Sequence, residues 1–380
     1  MVRLGLGLLT LSGGALLVHN LLAGRKVPLL EAQLPVEHAA VSVIVPARDE
    51  AVRIGRLLDG LAAQTTRCFD TLVLNDRSSD GTAALAAGYT GCIPGLRVVE
   101  GVELPLGWAG KCWACWQGAR LTTAPWLLFL DADTAPAPGL ITTLMQYGMR
   151  EQLDLLTLLP FLELDTFWER VLMPAFVGLI QAAFPLELVN DPQSPVALAN
   201  GQCILIRREV YFASGGHQAV RASVLEDTEL GMLVKSQGYR LRAVGGPDLM
   251  RVRMYTRWSE VSEGLRKNAW AGYAAGGRRA AWGGTQQALL AFLPFNVLLV
   301  GLGLRSHGQR RGGEVAAWGL LMWAMTMTYW GYMLRRLHGL NPLWALLYPL
   351  GTLSYFALAG WAWLTLRFGR GVTWKGRVYQ

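Results

Sequence analysis

Charge is scarce in this chain. Only 16% of its 380 residues are Asp, Glu, Lys or Arg, while 52% are hydrophobic. Globular proteins carry about a quarter charged residues, so this composition excludes a wholly water-exposed fold. The middle of the chain is too polar for a transporter, which leaves one soluble domain plus membrane segments. Cysteine is equally sparse. The five cysteines (68, 92, 112, 115 and 203) show no disulfide-framework spacing, so a reducing compartment is the default. Cys112-Trp-Ala-Cys115 lacks a second pair and a neighbouring His, and reads as two thiols packed within a helix rather than a zinc site. The five histidines lie far apart and offer neither a metal pair nor an obvious catalytic base.

A nucleic-acid signature is also missing. The formal charge is +8 and the pI near 9.4, which by themselves fit a polyanion partner. The basic residues, however, gather beside apolar segments, at Arg25-Lys26, Arg310-Arg311, Arg335-Arg336 and Arg367 to Arg377. That placement fits an anionic membrane surface and the positive-inside rule, and no partner nucleic acid is expected.

Long apolar runs are present. Residues 4–23 are long enough to span a bilayer, and with Arg25-Lys26 they read as an N-terminal anchor (1–26) rather than a cleaved signal peptide. Near the other end lie 286–304, 315–334 and 343–366, within a C-terminal membrane region over 284–380 that ends in a basic tail. The last two read as spans. The first contains Pro294 and Asn296 and reads as re-entrant or interfacial, an arrangement that keeps Arg305 to Arg311 and the tail on the inner side. The apolar run within 166–190 is broken by Pro174, Pro185 and Glu187 and reads as an interfacial helix.

Between the apolar ends, strands and helices alternate. Val41 to Pro46, Thr71 to Asn75, Leu96 to Val99 and Trp126 to Leu130 read as buried strands, and Ala199 to Ile206 as another. Such alternation predicts a sheet whose ligands gather at the strands' carboxyl ends. Asp49, Asp76, Asp131 and Asp133 all fall at such ends. Side chains two apart on an extended chain share a side, so Asp131 and Asp133 are expected to face one way and repel each other. A hard divalent ion, Mg²⁺ or Mn²⁺, itself bound to a diphosphate, is the economical partner. An isolated D-x-D is otherwise a helix cap or an Asx-turn. Glu226 and Asp227 open a helix, where carboxylates also suit the dipole. Arg266 and Lys267 lie on a basic amphipathic helix over 259–273, ordinarily a solvated or lipid-facing stripe.

Four motifs then stand in order: Val43-Ile-Val-Pro-Ala-Arg-Asp-Glu50, Asn75-Asp-Arg-Ser-Ser-Asp-Gly-Thr82, Phe129-Leu-Asp-Ala-Asp133 and Glu226-Asp227. In order and rough spacing they resemble the family-2 glycosyltransferases. The resemblance covers residues 41 to about 270 and implies an α/β fold of the GT-A type. This is a Rossmann-like mixed sheet forming a catalytic domain over 41–270, with N-terminal and C-terminal transmembrane helices. Gly107-Trp-Ala-Gly-Lys111 and Val372-Thr-Trp-Lys-Gly-Arg-Val-Tyr379 resemble the membrane-bound branch that glycosylates lipids, including carotenoid and ceramide-type glucosyltransferases. That branch implies an inner-membrane, multi-pass protein with a cytoplasmic catalytic domain, a nucleotide-sugar donor (a UDP-sugar) and a lipid acceptor, with glucose as the sugar.

By the same resemblance, Asp49 or Glu50 and Asp76 contact the nucleoside, and Asp131 helps hold the nucleotide. Asp133 ligates the metal, Lys111 neutralises phosphate, and Asp227 is the general base of an inverting displacement, with Glu226 beside it. Met254-Tyr-Thr-Arg257-Trp258 departs from the Q-x-x-R-W or R-x-x-R-W of ceramide glucosyltransferases and processive synthases, which disfavours polymer synthesis and leaves Arg266 and Lys267 as acceptor- or phosphate-side candidates. Transfer to a polyprenyl phosphate is the alternative. A haloacid-dehalogenase-like phosphohydrolase shares the hydrophobic-Asp-x-Asp-Thr pattern, but that motif belongs on a first strand, and strands ending at Asp49 and Asp76 precede it. A non-catalytic membrane scaffold is the remaining alternative.

Overall fold

The computed structural model describes residues 2–25, 28–33, 39–368, 372–374 and 377–379. Helix α1 (Val2–Arg25) precedes β1 (Val41–Ala47), α2 (Ile54–Ala62), β2 (Phe69–Asn75), α3 (Thr82–Ala87), β3 (Arg97–Glu100) and α4 (Gly110–Arg120). These are followed by β4 (Trp126–Leu130), β5 (Thr134–Pro136), α5 (Leu140–Arg150), β6 (Leu155–Leu159), β7 (Phe161–Leu162) and α6 (Phe167–Ala183). Next come α7 (Leu186–Asn190), β8 (Cys203–Arg207), α8 (Arg208–Ala213), α9 (Gly216–Ala219), α10 (Glu226–Ser236), β9 (Leu241–Gly245) and β10 (Met250–Val252). The chain closes with α11 (Trp258–Ser306), α12 (Gly312–His338), a 3-10 turn (Pro342–Leu347), α13 (Tyr348–Arg367) and a hairpin of β11 (Val372–Trp374) with β12 (Arg377–Tyr379). Lys375 and Gly376, within the expected tail motif, lie outside the described residues, as does Lys26.

These elements form two compact units, Val27–Glu163 with Leu186–Met254, and Met1–Lys26 with Leu164–Pro185 and Tyr255–Gln380. The first unit is built on a seven-stranded sheet in the order β3-β2-β1-β4-β8-β6-β9. Strand β8 runs antiparallel to β4 and β6; the other neighbours are parallel. This is the expected mixed α/β sheet of GT-A type, flanked in sequence by apolar helices. Val41, Val43 and Val45 on β1 and Leu128 and Leu130 on β4 are fully buried. Helix α2 buries Ile54, Leu57, Leu58 and Leu61, the i, i+3, i+4, i+7 stripe of an amphipathic helix. Each such side chain contributes about 1.5–3 kcal/mol by leaving water.

Register then sets the edge at which function gathers. Ala47 stands opposite Asn75, and Ile44 opposite Phe129, so the chain leaves β1, β2 and β4 along one edge of the sheet. Two expectations fail there. The strand read over 199–206 begins only at Cys203, because Asn200 turns the chain. The Cys203 N–H donates to the Asn200 carbonyl (3.0 Å), and Thr157 Oγ1 on β6 accepts from the Asn200 N–H (2.8 Å). Nor do Asp131 and Asp133 lie on an extended chain. Strand β4 stops at Leu130, and the N–H and hydroxyl of Thr134 both bond the Asp131 carbonyl (3.2 and 2.8 Å), closing a turn.

The second unit gathers the apolar helices together with residues 164–185 and 255–270 of the stretch expected to be catalytic. Helix α6 begins with a capping box between Thr166 and Glu169 and carries Pro174 inside it, while α11 is broken at Gly277 (φ 52°, ψ −130°). Among the described residues, three helices are long and apolar enough to cross a membrane: Gly5–Leu22, Ala275–Ser306 and Pro342–Arg367. They suggest membrane association. Of the C-terminal runs, 343–366 lies within such a helix as expected, and 286–304 lies within Ala275–Ser306, which has the highest hydropathy, 1.9, despite Pro294 and Asn296. Helix α12 covers 315–334 but falls short, its apolar residues diluted by Trp, Tyr, Thr and Gly.

Helix α4 lies against β1 through Gly118, where an added Cβ would stand 2.5 Å from Ile44 Cγ2 and 3.4 Å from Leu72 Cδ2. Gly118→Ala is therefore predicted to destabilise by about 1–3 kcal/mol through overpacking. Gly55→Ala, at a helical position with nothing within 4 Å of the new Cβ, serves as the control and should be neutral or stabilising. Thermal unfolding midpoints of the two variants in detergent check the contrast.

Candidate active site

Three segments deliver charged groups to the edge where β1, β2 and β4 end. Helix α4 presents Lys111 in its first turn, the turn after β4 presents Asp131 and Asp133, and α10 opens with Glu226 and Asp227. The Asn200-Gly201-Gln202 turn lies alongside, with the Asp131 N–H directed at the Gln202 carbonyl (3.4 Å). Lys111 Nζ stands 2.7 Å from Asp131 Oδ1, 2.9 Å from Asp131 Oδ2 and 2.9 Å from Glu226 Oε1. Asp227 accepts two backbone N–H bonds, from Gly201 to Oδ2 and from Thr228 to Oδ1, both 2.7 Å.

Burial and like charge set the protonation of this cluster. Burial raises the Asp131 carboxyl above its ordinary value; Lys111 opposes that rise, while Glu226 and Glu50 add to it. Burial also raises Asp227, to about 6, with Glu226 contributing in the same sense against Lys111 and the two N–H donors. For Lys111, burial works against the charged form. The carboxylates of Asp131, Glu226 and Asp227 outweigh it and hold the ammonium well above the ordinary lysine range. Lys111 is thus committed to neutralising acids of the chain itself rather than standing ready for phosphate alone.

The β1 and β2 ends form the adjoining part of the edge. The Asp76 N–H bonds the Ala47 carbonyl (2.8 Å), and Arg48 Nη1 donates to the Asp76 carbonyl (3.1 Å). The Arg48 guanidinium lies 3.9 Å from the carboxylates of both Asp49 and Asp76. Asp49 Oδ1 accepts from the N–H (2.8 Å) and hydroxyl (3.2 Å) of Ser79, and the Glu50 N–H donates to Thr82 Oγ1 (2.9 Å). Asp49 (φ 51°) and Arg77 (φ 58°) both adopt left-handed backbone, a strained conformation of the kind that clusters at functional sites.

Of the candidate residues, Lys111, Asp131, Glu226 and Asp227 therefore converge directly, and Asp49, Glu50 and Asp76 sit at neighbouring strand ends. Arg266 and Lys267 belong to the other compact unit, where the Arg266 guanidinium lies 4.5 Å over the Trp361 ring. Sequence reasoning missed Arg48 and Gly201. An added Cβ on Gly201 would stand 2.7 Å from Lys111 Nζ and 3.1 Å from Asp227 Oδ2, so only glycine admits both groups. A glycine inside a strand-like pattern is the signal for such close backbone approach.

Among the described residues, no group of three or more His, Cys, Asp or Glu is placed to hold a metal ion. The acids here are hard oxygen donors, and one Lys111 does not balance Asp131, Glu226 and Asp227. That donor set fits a hard cation arriving with a diphosphate, which needs only one or two carboxylates from the protein.

Gly201→Ala is predicted to displace the Lys111 ammonium while sparing the fold, since that ammonium ends a flexible side chain. Turnover should fall about 100-fold, the scale of a 1 Å misplacement at a reacting centre. The unfolding midpoint should move by no more than about 4 °C. A large loss of stability with unimpaired turnover would contradict the close approach.

Comparison with known proteins places this geometry in context. A family model described as "Glycosyltransferase like family 2" matches residues 38–271. The 4,4'-diaponeurosporenoate glycosyltransferase of Staphylococcus aureus (strain USA300) is 29% identical over 365 residues, covering 95% of this chain and 93% of its own length. Among solved structures, the mannosyltransferase PcManGT of Pyrobaculum calidifontis, in complex with GDP-Man and Mn²⁺, is 18% identical at a TM-score of 0.49. It covers 86% of this chain and 97% of its own. Glucosyl-3-phosphoglycerate synthase of Mycobacterium tuberculosis, in a complex containing UDP and Mn²⁺, is 17% identical at a TM-score of 0.42, covering 66% and 88%. With more than half of its length matched by the family model, and the four acidic motifs inside that match, the chain belongs to the family 2 glycosyltransferases.

Proposed function

We propose that this protein transfers one hexosyl group, glucose in our reading, from a UDP-sugar to a hydroxyl of a membrane lipid, with inversion at the sugar carbon. The observation that carries the proposal is Asp227, a carboxylate raised to about 6 beside the Lys111–Asp131 pair. A base with a pKa near neutrality suits proton removal from an alcohol. In the displacement, the acceptor oxygen attacks the anomeric carbon as the bond to the diphosphate oxygen breaks, and Asp227 takes the hydroxyl proton. The nucleotide diphosphate carries away the bonding pair. Asp49, Glu50 and Asp76 would hold the nucleoside, and Asp131 and Lys111 the diphosphate side. Mg²⁺ or Mn²⁺ bound through Asp133 would supply Lewis-acid stabilisation of the leaving diphosphate. The three long apolar helices among the described residues support a membrane-associated enzyme. We assign that membrane as the inner one, crossed more than once, with the catalytic unit on the cytoplasmic side where nucleotide sugars are made.

The relative from Staphylococcus aureus favours a second reading of the acceptor. Its name specifies diaponeurosporenoate, a carotenoid acid, and the similarity spans 95% of this chain. A carboxylate acceptor arrives already deprotonated and needs no general base. The two readings separate on Asp227→Asn, assayed with a lipid alcohol and with a carotenoid acid. The hydroxyl reading predicts a loss of about 10²–10⁴-fold on the alcohol. An unimpaired variant that esterifies the acid would establish the second.

The base role also fixes the pH dependence. Asp227 must be deprotonated to act, so the turnover rate should fall as pH drops through about 6. A rate flat from neutrality to pH 5 would remove Asp227 from that role. The metal assignment is tested without turnover. UDP should raise the thermal unfolding midpoint only when Mn²⁺ is present, and Asp133→Ala should abolish that shift. Equal stabilisation by UDP in EDTA would contradict it. A panel of nucleotide sugars with purified protein, Mn²⁺ and a lipid extract, read by mass spectrometry, tests the transfer itself. Donor hydrolysis with no sugar on any lipid would overturn the acceptor class.

A further inference from the structure

Tyr211 and His217 form a buried pair that takes no part in the displacement described above. Tyr211 is 0% exposed and His217 2%. Their side chains meet at 2.9 Å, Tyr211 Oη to His217 Nδ1, and the His217 backbone N–H donates to the same Oη at 3.3 Å. A buried tyrosine hydroxyl needs an acceptor, and Nδ1 serves as one in the neutral imidazole that carries its proton on Nε2. Burial pushes the imidazole pKa down to about 4, Glu226 opposing and Lys111 assisting, so the ring is uncharged across the physiological range.

Three segments that carry the cluster meet on this pair. Phe129, two residues before Asp131, packs its ring edgewise on His217 (5.1 Å) and tilted on Tyr211 (5.4 Å). Trp116, on the helix that presents Lys111, lies 6.0 Å from Tyr211. The chain running from His217 to Glu226 is stitched back to that helix, because the Ala109 N–H donates to the Arg221 carbonyl (2.6 Å) and Cys112 Sγ to the Val220 carbonyl (3.4 Å).

We propose that His217 is a positioning residue for glycosyl transfer. As the neutral acceptor of the Tyr211 hydroxyl, it fixes where the 217–225 segment enters α10, and so sets Glu226 and Asp227 against Lys111 and Asp131. This rests on the transferase reading above. The role differs from that of an ordinary core residue in acting on turnover rather than on stability or donor affinity.

Tyr211→Phe removes only the hydroxyl, His217→Leu removes the acceptor, and His217→Asn returns an oxygen acceptor near the position of Nδ1. Turnover and donor KM are measured for each in detergent-solubilised full-length protein, well below its unfolding midpoint. Tyr211→Phe and His217→Leu should each lower kcat about 10- to 100-fold, the scale of one buried hydrogen bond, with donor KM within about twofold. The double variant should be no worse than either single one, because both remove the same bond. His217→Asn should recover kcat to within about threefold of wild type. Unchanged kcat in Tyr211→Phe overturns the proposal, as does a His217→Asn variant as impaired as Tyr211→Phe. Should His217→Leu fail to fold, those two variants decide alone. Slow hydrolysis of the donor by water uses the same cluster and is followed in parallel. It decides the role of His217 even where no lipid is glycosylated, an outcome that sinks only the acceptor reading.

Discussion

One ammonium held among carboxylates is the interaction on which the catalytic unit turns. Lys111 Nζ bonds Asp131 and Glu226 at 2.7–2.9 Å, with Asp227 acting on it as well. At such distances, and with water partly excluded, each pairing is worth several times its strength in bulk solvent. The desolvation of four charged groups opposes it, so the cluster is a poor device for stability and a good one for chemistry. Burial, with Glu226 adding to it, keeps Asp227 poised near 6. Close approach is what keeps Gly201 a glycine, since an added Cβ would stand 2.7 Å from Lys111 Nζ and 3.1 Å from Asp227 Oδ2.

The sheet topology exists to make that convergence possible. Parallel β1, β2 and β4 bring Asp49, Asp76 and Asp131 to one edge, but a purely parallel sheet would not supply the Asn200-Gly201-Gln202 turn. Strand β8 runs against β4, with Leu130 opposite Cys203, so its entering turn falls beside the residues leaving β4. The polar demands of that turn are met locally, by Thr157 on β6 and by bonds within residues 200–203. Helix α10 then brings Asp227 against the Gly201 N–H.

Much of this was legible in the sequence, and the parts that were not have physical causes. The apolar runs read over 41–46, 71–75 and 126–130 lie within the observed strands 41–47, 69–75 and 126–130, and the acidic residues that follow them could be read directly. The thiols of Cys112 and Cys115 are buried in α4 as the lone C-x-x-C implied. The turn at 199–202 was hidden because Ala199 to Ile206 has the composition of a strand, and only tertiary contact with Thr157 and Asp131 bends it. The same limit hid the ion pairing of Lys111, since nothing local shows that Asp131, Glu226 and Lys111 meet from three distant segments. His217 was passed over because a histidine without a neighbouring ligand carries no periodic signal; its partner Tyr211 is visible only in space. In the apolar C-terminal region, proline and asparagine argued against 286–304, yet its overall hydropathy exceeds that of the aromatic-rich α12.

The central claim is that burial raises the Asp227 carboxyl while the Lys111 charge holds it down, and that the resulting ionisation governs the rate. It is tested most directly by the pH dependence of single-turnover transfer in Lys111→Met and Lys111→Arg. Removing a cation that lowers the Asp227 pKa should carry the acidic limb of the methionine variant clearly above 6, while the arginine variant keeps its limb near the wild-type position. An acidic limb that stays in place in Lys111→Met, at whatever residual rate, would contradict the coupling on which this account depends.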